Sequence, residues 1–381
     1  MPAPTLILFV DALPFDDLGQ LPGLNGWAWK ARLRPGFGYS INLHPELFCG
    51  LDPDRVGFFG EWALDRTGAP GRRYRAVLPL LDRLCRPYLL NRGLQHLLTK
   101  RYRPDRIMPN LPLRWLGEFS IHGEKVEDPR FDRPSIFSRH PGLQRVSTAG
   151  LSKGARDARV VERAAAAIAA GAEQLYVPLI DLDGIGHAHR RSSEAWQAHL
   201  ARLDAWIAVL SEGFLARQPE GQVFVLSDHG MADVTGSVEL RIEQDIAKAG
   251  PGRFLYFSDS TLLRIWVFDP DLGEAIAAYL DDSPVATPIM QPEREAYGIA
   301  NPAFGDFIAV LDEGLCFKPS TFARNIPAAM HGYHPTVSSQ QALLAWRGPA
   351  GREPARAAAV DRTLAVFPLL DAALGRAAGD R

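Results

Sequence analysis

The sequence predicts an α/β fold: a mostly parallel central sheet with helices on both faces, carrying an inserted cap segment. Three observations predict it. Short, wholly apolar runs that end on a polar residue recur along the 381 residues, as strands buried on both faces do. Helical patterns lie between them. The balance of 46% hydrophobic and 23% charged residues is that of a soluble globular protein. It excludes a disordered chain, a coiled coil and a collagen-like repeat.

The elements follow in order. Residues 6–10 read as a buried strand stopped by Asp11, and 174–180 and 222–227 read the same way. Residues 261–268, 307–311 and 342–346 are further strands. Residues 157–170 are Ala-rich, a strong helix pattern that Gly171 ends. Over 194–210, Trp196, Leu200, Leu203, Ile207 and Leu210 form one apolar helical stripe. The chain reads as a single domain over 1–381, interrupted at 60–142 by a segment that breaks the strand–helix rhythm. Within 66–107 stand eleven Arg/Lys and two Asp, a local net of +9. That run reads either as a solvated helical excursion or as a cationic lid for an anionic substrate or acidic partner. The tail, 375–381, is expected to fray.

Whole-chain charge points away from a bulk nucleic-acid partner: 42 Lys/Arg stand against 44 Asp/Glu, a formal net of −2. Cys49, Cys85 and Cys316 are scattered and odd in number, so no disulfide framework is implied and a reducing compartment fits. No basic n-region precedes residues 6–10, and no stretch approaches the roughly 20 apolar residues that span a bilayer. The expectation is a cytoplasmic protein without a transmembrane segment. Abundant Arg and Ala point to a GC-rich bacterial genome.

Several Asp and His residues stand just beyond the strands, where an open α/β sheet presents its ligand crevice. Asp11 follows the first strand, Asp183 and His187 follow 174–180, and Asp228 and His229 follow 222–227. One Asp after a strand is ordinarily a turn or cap residue; the coincidence of three strand ends points to a site. In Asp183-Gly-Ile-Gly-His187 the glycines are expected to turn the backbone tightly, so that carboxylate and imidazole converge. A mixed Asp/His set suits Zn²⁺ and tolerates Mn²⁺. Ser40 stands at the mouth of a helical segment, where an anion can land beside a nucleophile. Local sequence alone also allows Ser40 to be a plain N-cap. Pro45 interrupts regular helix bonding, so the regular part is expected from near His44.

Taken together, FVDAL with Asp11, GYSINLHPELFCGLDPDRVG with Ser40, DGIGHAHRRS with Asp183 and His187, LSDHGM with Asp228 and His229, and MHGYHP with His331 form an ordered set. It resembles the alkaline phosphatase superfamily and, within it, the type I phosphodiesterase/nucleotide pyrophosphatase family. The resemblance implies two divalent metal ions, most simply Zn²⁺ with Mn²⁺ as the alternative. One ion would be held by Asp183, His187 and His331, the other by Asp11, Asp228, His229 and the Ser40 oxygen. It implies Ser40 as the nucleophile, a phosphorylated or nucleotidylated enzyme, and a small anionic phosphoester as substrate. The family often has Thr at the nucleophile and an Asn three residues later. Here Leu43 stands there and Asn42 one place early, so Asn42 is the candidate phosphate contact. A phosphomonoesterase or phosphonate hydrolase of the same superfamily is the alternative. From another class, a non-catalytic binding protein could use the basic insertion. Ser40-Ile-Asn-Leu-His44 lacks the Pro-x-Arg pattern of sulfatases. His189 and His334 are neighbours that could replace His187 and His331 as ligands, and Asp181 competes with Asp183.

Overall fold

The structure, a computed structural model, describes residues 3–85, 88–102, 111–152, 154–318, 320–321, 325–349 and 360–375. The expected fraying beyond residue 375, and 103–107 of the basic run, lie outside the described residues. The chain divides into two units, one of Met1–Asp52, Lys125–Val234 and Pro327–Arg381, the other of Pro53–Glu124 and Thr235–Ile326.

The first unit carries a six-stranded sheet in the order Trp29–Leu33, Ala342–Arg347, Gln222–Leu226, Thr5–Val10, Gln174–Leu179, Gln144–Arg145. Thr5–Val10 lies in the middle, parallel to both neighbours. Gln144–Arg145 is also parallel to its neighbour, whereas Ala342–Arg347 runs antiparallel to both of its own. The expected mostly parallel sheet is therefore present. Alternation along the central strand divides the core in two. Leu6, Leu8 and Val10 pack in one cluster with apolar residues of the helices Arg156–Ala169 and Glu194–Arg217. Ile7 and Phe9 pack in the other with those of Ser40–Cys49 and Val366–Leu374. A strand covered on both faces has no polar side, which is why it reads as an unbroken apolar run. The stripe Trp196, Leu200, Leu203, Ile207 and Leu210 is buried as expected, and the helix runs on to Arg217 from a Ser193 cap that accepts from Trp196 N at 3.2 Å.

In the second unit, Phe254–Ser258, Leu262–Val267, Phe307–Leu311 and Ala286–Pro288 form a separate antiparallel sheet in that order. The expected strands at 261–268 and 307–311 therefore exist but belong outside the parallel sheet. The first two strands are joined by three residues, too few for the crossover that a parallel pair requires. Arg264, 2% exposed, donates to the Phe59 and Trp62 carbonyls at 2.6 and 2.7 Å and lies against Phe257 and Trp266. Glu118, buried, holds Arg66 and Arg75 at 2.8 and 2.7 Å, and Arg72 donates to the Thr67 carbonyl. Part of the basic run is thus committed to internal partners. The rest includes the helices Leu78–Leu84 and Tyr88–Tyr102.

One buried carboxyl in the first unit gives a pH prediction. Glu46 accepts from the Thr363 hydroxyl and lies against Gly36, where an added Cβ would come within 2.0 Å of its Oε1. Burial lifts its pKa from 4.5 to about 7, against the lowering contributions of the Thr363 bond, Arg362 and the Gly36 amide. A carboxyl whose folded pKa is raised contributes stability that is fully present below its unfolded pKa and is lost as pH rises through the folded value. The stability of the wild-type protein relative to Glu46→Gln should therefore fall by about 3 kcal/mol as pH rises from below 4.5 to above 7. Denaturant unfolding of both proteins across that window measures it; parallel curves would contradict the assignment.

Candidate active site

All seven residues expected to carry the chemistry lie in the first unit, and the structure brings them together. Asp11 follows the central strand, and Ala12 beyond it has φ +64, a left-handed conformation rare for a residue with a Cβ. That turn is held from the next strand, because Asp228 Oδ1 accepts from the Ala12 and His229 amides at 3.4 and 3.0 Å. Strain of this kind persists only where surrounding contacts impose it, as at functional sites.

Asp183 and His187 sit on the regular helix Asp181–Ala188. The expected glycine-driven turn is corrected: helical i,i+4 spacing brings the two side chains to one face, with His187 Nε2 3.2 Å from Asp183 Oδ1. Gly186 serves close packing, since a Cβ there would come within 2.8 Å of Met231 Cε and 3.0 Å of Trp196. Ser40 is the first residue of Ser40–Cys49, which contains Pro45, so the helix starts four residues earlier than expected. Tyr39 occupies the cap position and no side chain caps the helix. The Ser40 oxygen instead lies 3.1 Å from His229 Nε2.

Donor chemistry tests whether cations fit. His187 Nδ1 donates to the Ala329 carbonyl at 3.1 Å, and His229 Nδ1 to the Gly230 carbonyl at 2.8 Å. A carbonyl only accepts, so Nδ1 carries a proton, and in its neutral form each ring presents its Nε2 lone pair to the site. Those lone pairs face carboxylate oxygens: His187 Nε2 faces Asp183 Oδ1, and His229 Nε2 faces Asp11 Oδ1 at 3.5 Å and Asp228 Oδ2 at 3.4 Å. His331 Nε2 lies 3.6 Å from Asp183 Oδ1. Asp11 Oδ1, Asp183 Oδ1 and Asp228 Oδ2 are buried and meet no geometric hydrogen-bond donor among the described residues. With neutral rings, lone pair faces lone pair, which is repulsive unless a proton or a metal cation lies between. The spacings bracket the ~3.3 Å between donors at tetrahedral bonds of about 2.0 Å. Among the described residues, two donor groups meet within 4.8 Å: Asp183, His187 and His331, and Asp11, Asp183 and His229. Asp183 faces both, which the sequence did not indicate. The residues fit two divalent cations.

Electrostatics agree. Burial raises the Asp11 pKa well above the usual range, and the Asp228 and Asp183 carboxylates add to the rise. Burial, with His229 and His187 nearby, pushes the His331 pKa well down, leaving the neutral ring that a metal requires. Burial would also raise Asp228, but the neighbouring His229 and His44 hold it at about 2.

The competing residues are placed elsewhere. Asp181 accepts from the Gly154 and Asp157 amides at 3.0 and 3.1 Å, which fixes the start of the helix Arg156–Ala169. His189 is exposed, and His334 Nδ1 lies 2.7 Å from the Thr336 hydroxyl. Burial lifts the Cys49 thiol to about 12, so Cys49 is an inert packing residue. Asn42 is 1% exposed and its amide donates to the Phe37 carbonyl at 3.4 Å. Two features went unread in the sequence. His44, one helical turn after Ser40, places Nε2 3.4 Å from Asp228 Oδ2; its i+4 position on the same helix face was the available signal. Arg191 joins three strand exits, donating to the Asp17 carboxylate, to the Met231 carbonyl and, through its amide, to Asp233.

The family model for type I phosphodiesterase/nucleotide pyrophosphatase matches residues 128–334, more than half of the chain. The chain belongs to the type I phosphodiesterase/nucleotide pyrophosphatase family. Members are metal-dependent, typically with two divalent ions, and this chain is a hydrolase acting on phosphoester bonds. Among solved structures it is similar to murine ectonucleotide pyrophosphatase/phosphodiesterase 5, with TM-score 0.63 and 15% identity over 100% of this chain and 96% of that one. The human counterpart gives TM-score 0.63 and 14% identity over 99% and 96%. An inactive variant of the murine protein in complex with AMP gives TM-score 0.60 and 15% identity over 100% and 97%. At these identities the likeness is one of fold, and it agrees with the alkaline phosphatase-like architecture. A search of curated proteins finds no match. Among the described residues no helix is long and apolar enough to cross a membrane.

Proposed function

We propose that the protein is a two-metal phosphodiesterase/nucleotide pyrophosphatase that works through a covalent Ser40 intermediate. The observation that carries the reading is the meeting of Asp11, Ser40, Asp183, His187, Asp228, His229 and His331 in one cluster. Asp183, His187 and His331 would hold one divalent ion, and Asp11, Asp228, His229 and the Ser40 oxygen the other, with Asp183 close to both. Zn²⁺ suits this donor set, and Mn²⁺ is the alternative. When bound, such ions supply positive charge that neutralises a phosphoryl group and lowers the pKa of a coordinated hydroxyl.

The chain's own residues do the rest. His229 orients the Ser40 oxygen at 3.1 Å. The Asn42 and Leu43 amides close the first turn on the Tyr39 carbonyl at 2.7 and 3.2 Å, and the Ser40 and Ile41 amides ahead of that turn favour an anion there. Ser40 Oγ attacks phosphorus, the Oγ–P bond forms as the P–O bond to the leaving group breaks, and water then cleaves the seryl ester. Asn42 enters as an auxiliary contact to the phosphate. The AMP bound by the murine relative supports a nucleotide or similar small phosphoester as substrate. In this reading 1–381 acts as a single catalytic domain, with 60–142 an insertion that governs specificity. The free cysteines fit a cytoplasmic enzyme.

The test compares an aryl nucleotide diester with an aryl monoester, each with added Zn²⁺ or Mn²⁺. The proposal expects kcat/KM at least roughly tenfold higher on the diester. Preference for the monoester would assign the chain to the phosphomonoesterases instead.

A further inference from the structure

The helices Leu78–Leu84 and Tyr88–Tyr102 break the ordinary pattern of a surface helix, which is apolar inward and polar outward. Inward, Leu78, Leu81, Leu94 and Leu98 pack into the core of the second unit. Outward, Leu80, Leu84, Leu89, Leu90 and Leu97 are between 56% and 79% exposed, and Tyr74 just before them is 50% exposed. Single exposed leucines are common on monomers; five within eighteen residues form a patch. The same stretch is strongly basic. From Arg72 to Tyr102 the sequence carries eight Arg/Lys and one acid, Asp82, a net of +7 in a chain whose total is −2. Arg73, Arg83 and Lys100 are exposed.

We propose that this helical pair is a peripheral docking surface for an anionic lipid bilayer. Outward leucines set among cations are the pattern of an interfacial helix, whose apolar side chains enter the acyl boundary while the cations meet anionic headgroups. Charge selects this occupant over a second copy of the chain, because pairing two such faces would bring the exposed Arg73, Arg83 and Lys100 of one copy against those of the other. Neither helix crosses the bilayer: they have 7 and 15 residues, shorter than the roughly 20 a spanning helix needs. The surface makes the enzyme a peripherally membrane-associated protein.

The experiment is co-sedimentation of the full chain with vesicles of phosphatidylcholine alone, or with about 30% phosphatidylserine, at salt of about 0.1 M and about 1 M. Binding to the phosphatidylserine vesicles should be at least roughly tenfold tighter than to phosphatidylcholine and should weaken markedly at high salt. Two double variants should each reduce it by roughly tenfold or more: Leu84→Glu with Leu89→Glu, and Arg83→Glu with Lys100→Glu. Both should keep the wild-type melting temperature, since they change exposed side chains. Equal binding to both vesicle types, or none, overturns the proposal. So does a concentration-dependent dimer that the leucine variant abolishes, which assigns the face to self-association. Wild-type vesicle binding by both folded variants overturns it as well.

Discussion

Ser40→Ala should leave the protein folded and most of its metal in place while lowering kcat by roughly 10³-fold or more. The expectation comes from position. Ser40 is the first helical residue, with no capping bond to lose, and its oxygen is directed at His229 Nε2. A residue acting only as a cap would give the opposite result, a loss of ~1 kcal/mol in stability with the rate nearly intact. Ser40→Thr should retain measurable activity, because the hydroxyl remains. Asn42→Ala should fall between the two, since its amide is already committed to the Phe37 carbonyl. Rapid-quench trapping of phosphorus on the protein provides the direct readout: label on wild type and none on Ser40→Ala. A Ser40→Ala enzyme close to wild-type kcat on its best diester would refute the covalent route.

Asp183→Asn should have the largest effect on metal. Its Oδ1 lies 3.2 and 3.6 Å from His187 and His331, and it also stands within the group formed with Asp11 and His229. Elemental analysis of the purified variant should show a deficit of both ions, whereas His331→Ala should lose one preferentially. Ions that bind only the folded state stabilise it by about 2.7 kcal/mol at a hundredfold excess over Kd. The wild-type melting temperature should therefore fall on chelation and that of Asp183→Asn should barely move. Asp181→Asn, two residues away, should keep its metal and lose stability through the Gly154 and Asp157 amides it caps. Full metal content in Asp183→Asn would remove Asp183 from the site.

The apolar runs at 6–10, 174–180 and 222–227 were legible because a strand covered on both faces has no polar side to hide its burial. The stripe from Trp196 to Leu210 was legible because helical period alone sets it. Pro45 misled, since the penalty for an interrupted helix was offset by packing: Leu47, Phe48 and Cys49 are buried in the core beneath the sheet. The glycines of Asp183-Gly-Ile-Gly-His187 suggested a turn, but both lie in a helix, and the close packing of Gly186 on Met231 comes from another strand end.

By itself the sequence determined which residue types reach the strand ends, in what order, and that they suit phosphoester chemistry, because side-chain period and ligand chemistry are local properties. Only the tertiary structure decided that Asp183 stands between two ligand groups, that His44 backs Asp228, and that Ser40 faces His229 rather than capping its helix. It also separated the antiparallel strands of the second unit from the parallel sheet. The placements of Asp183, His44 and Ser40 depend on distances to segments more than a hundred residues away, whereas the antiparallel pairing rests on a short connection. Packing of the two sheet faces sets such distances, and no local pattern in the chain encodes them.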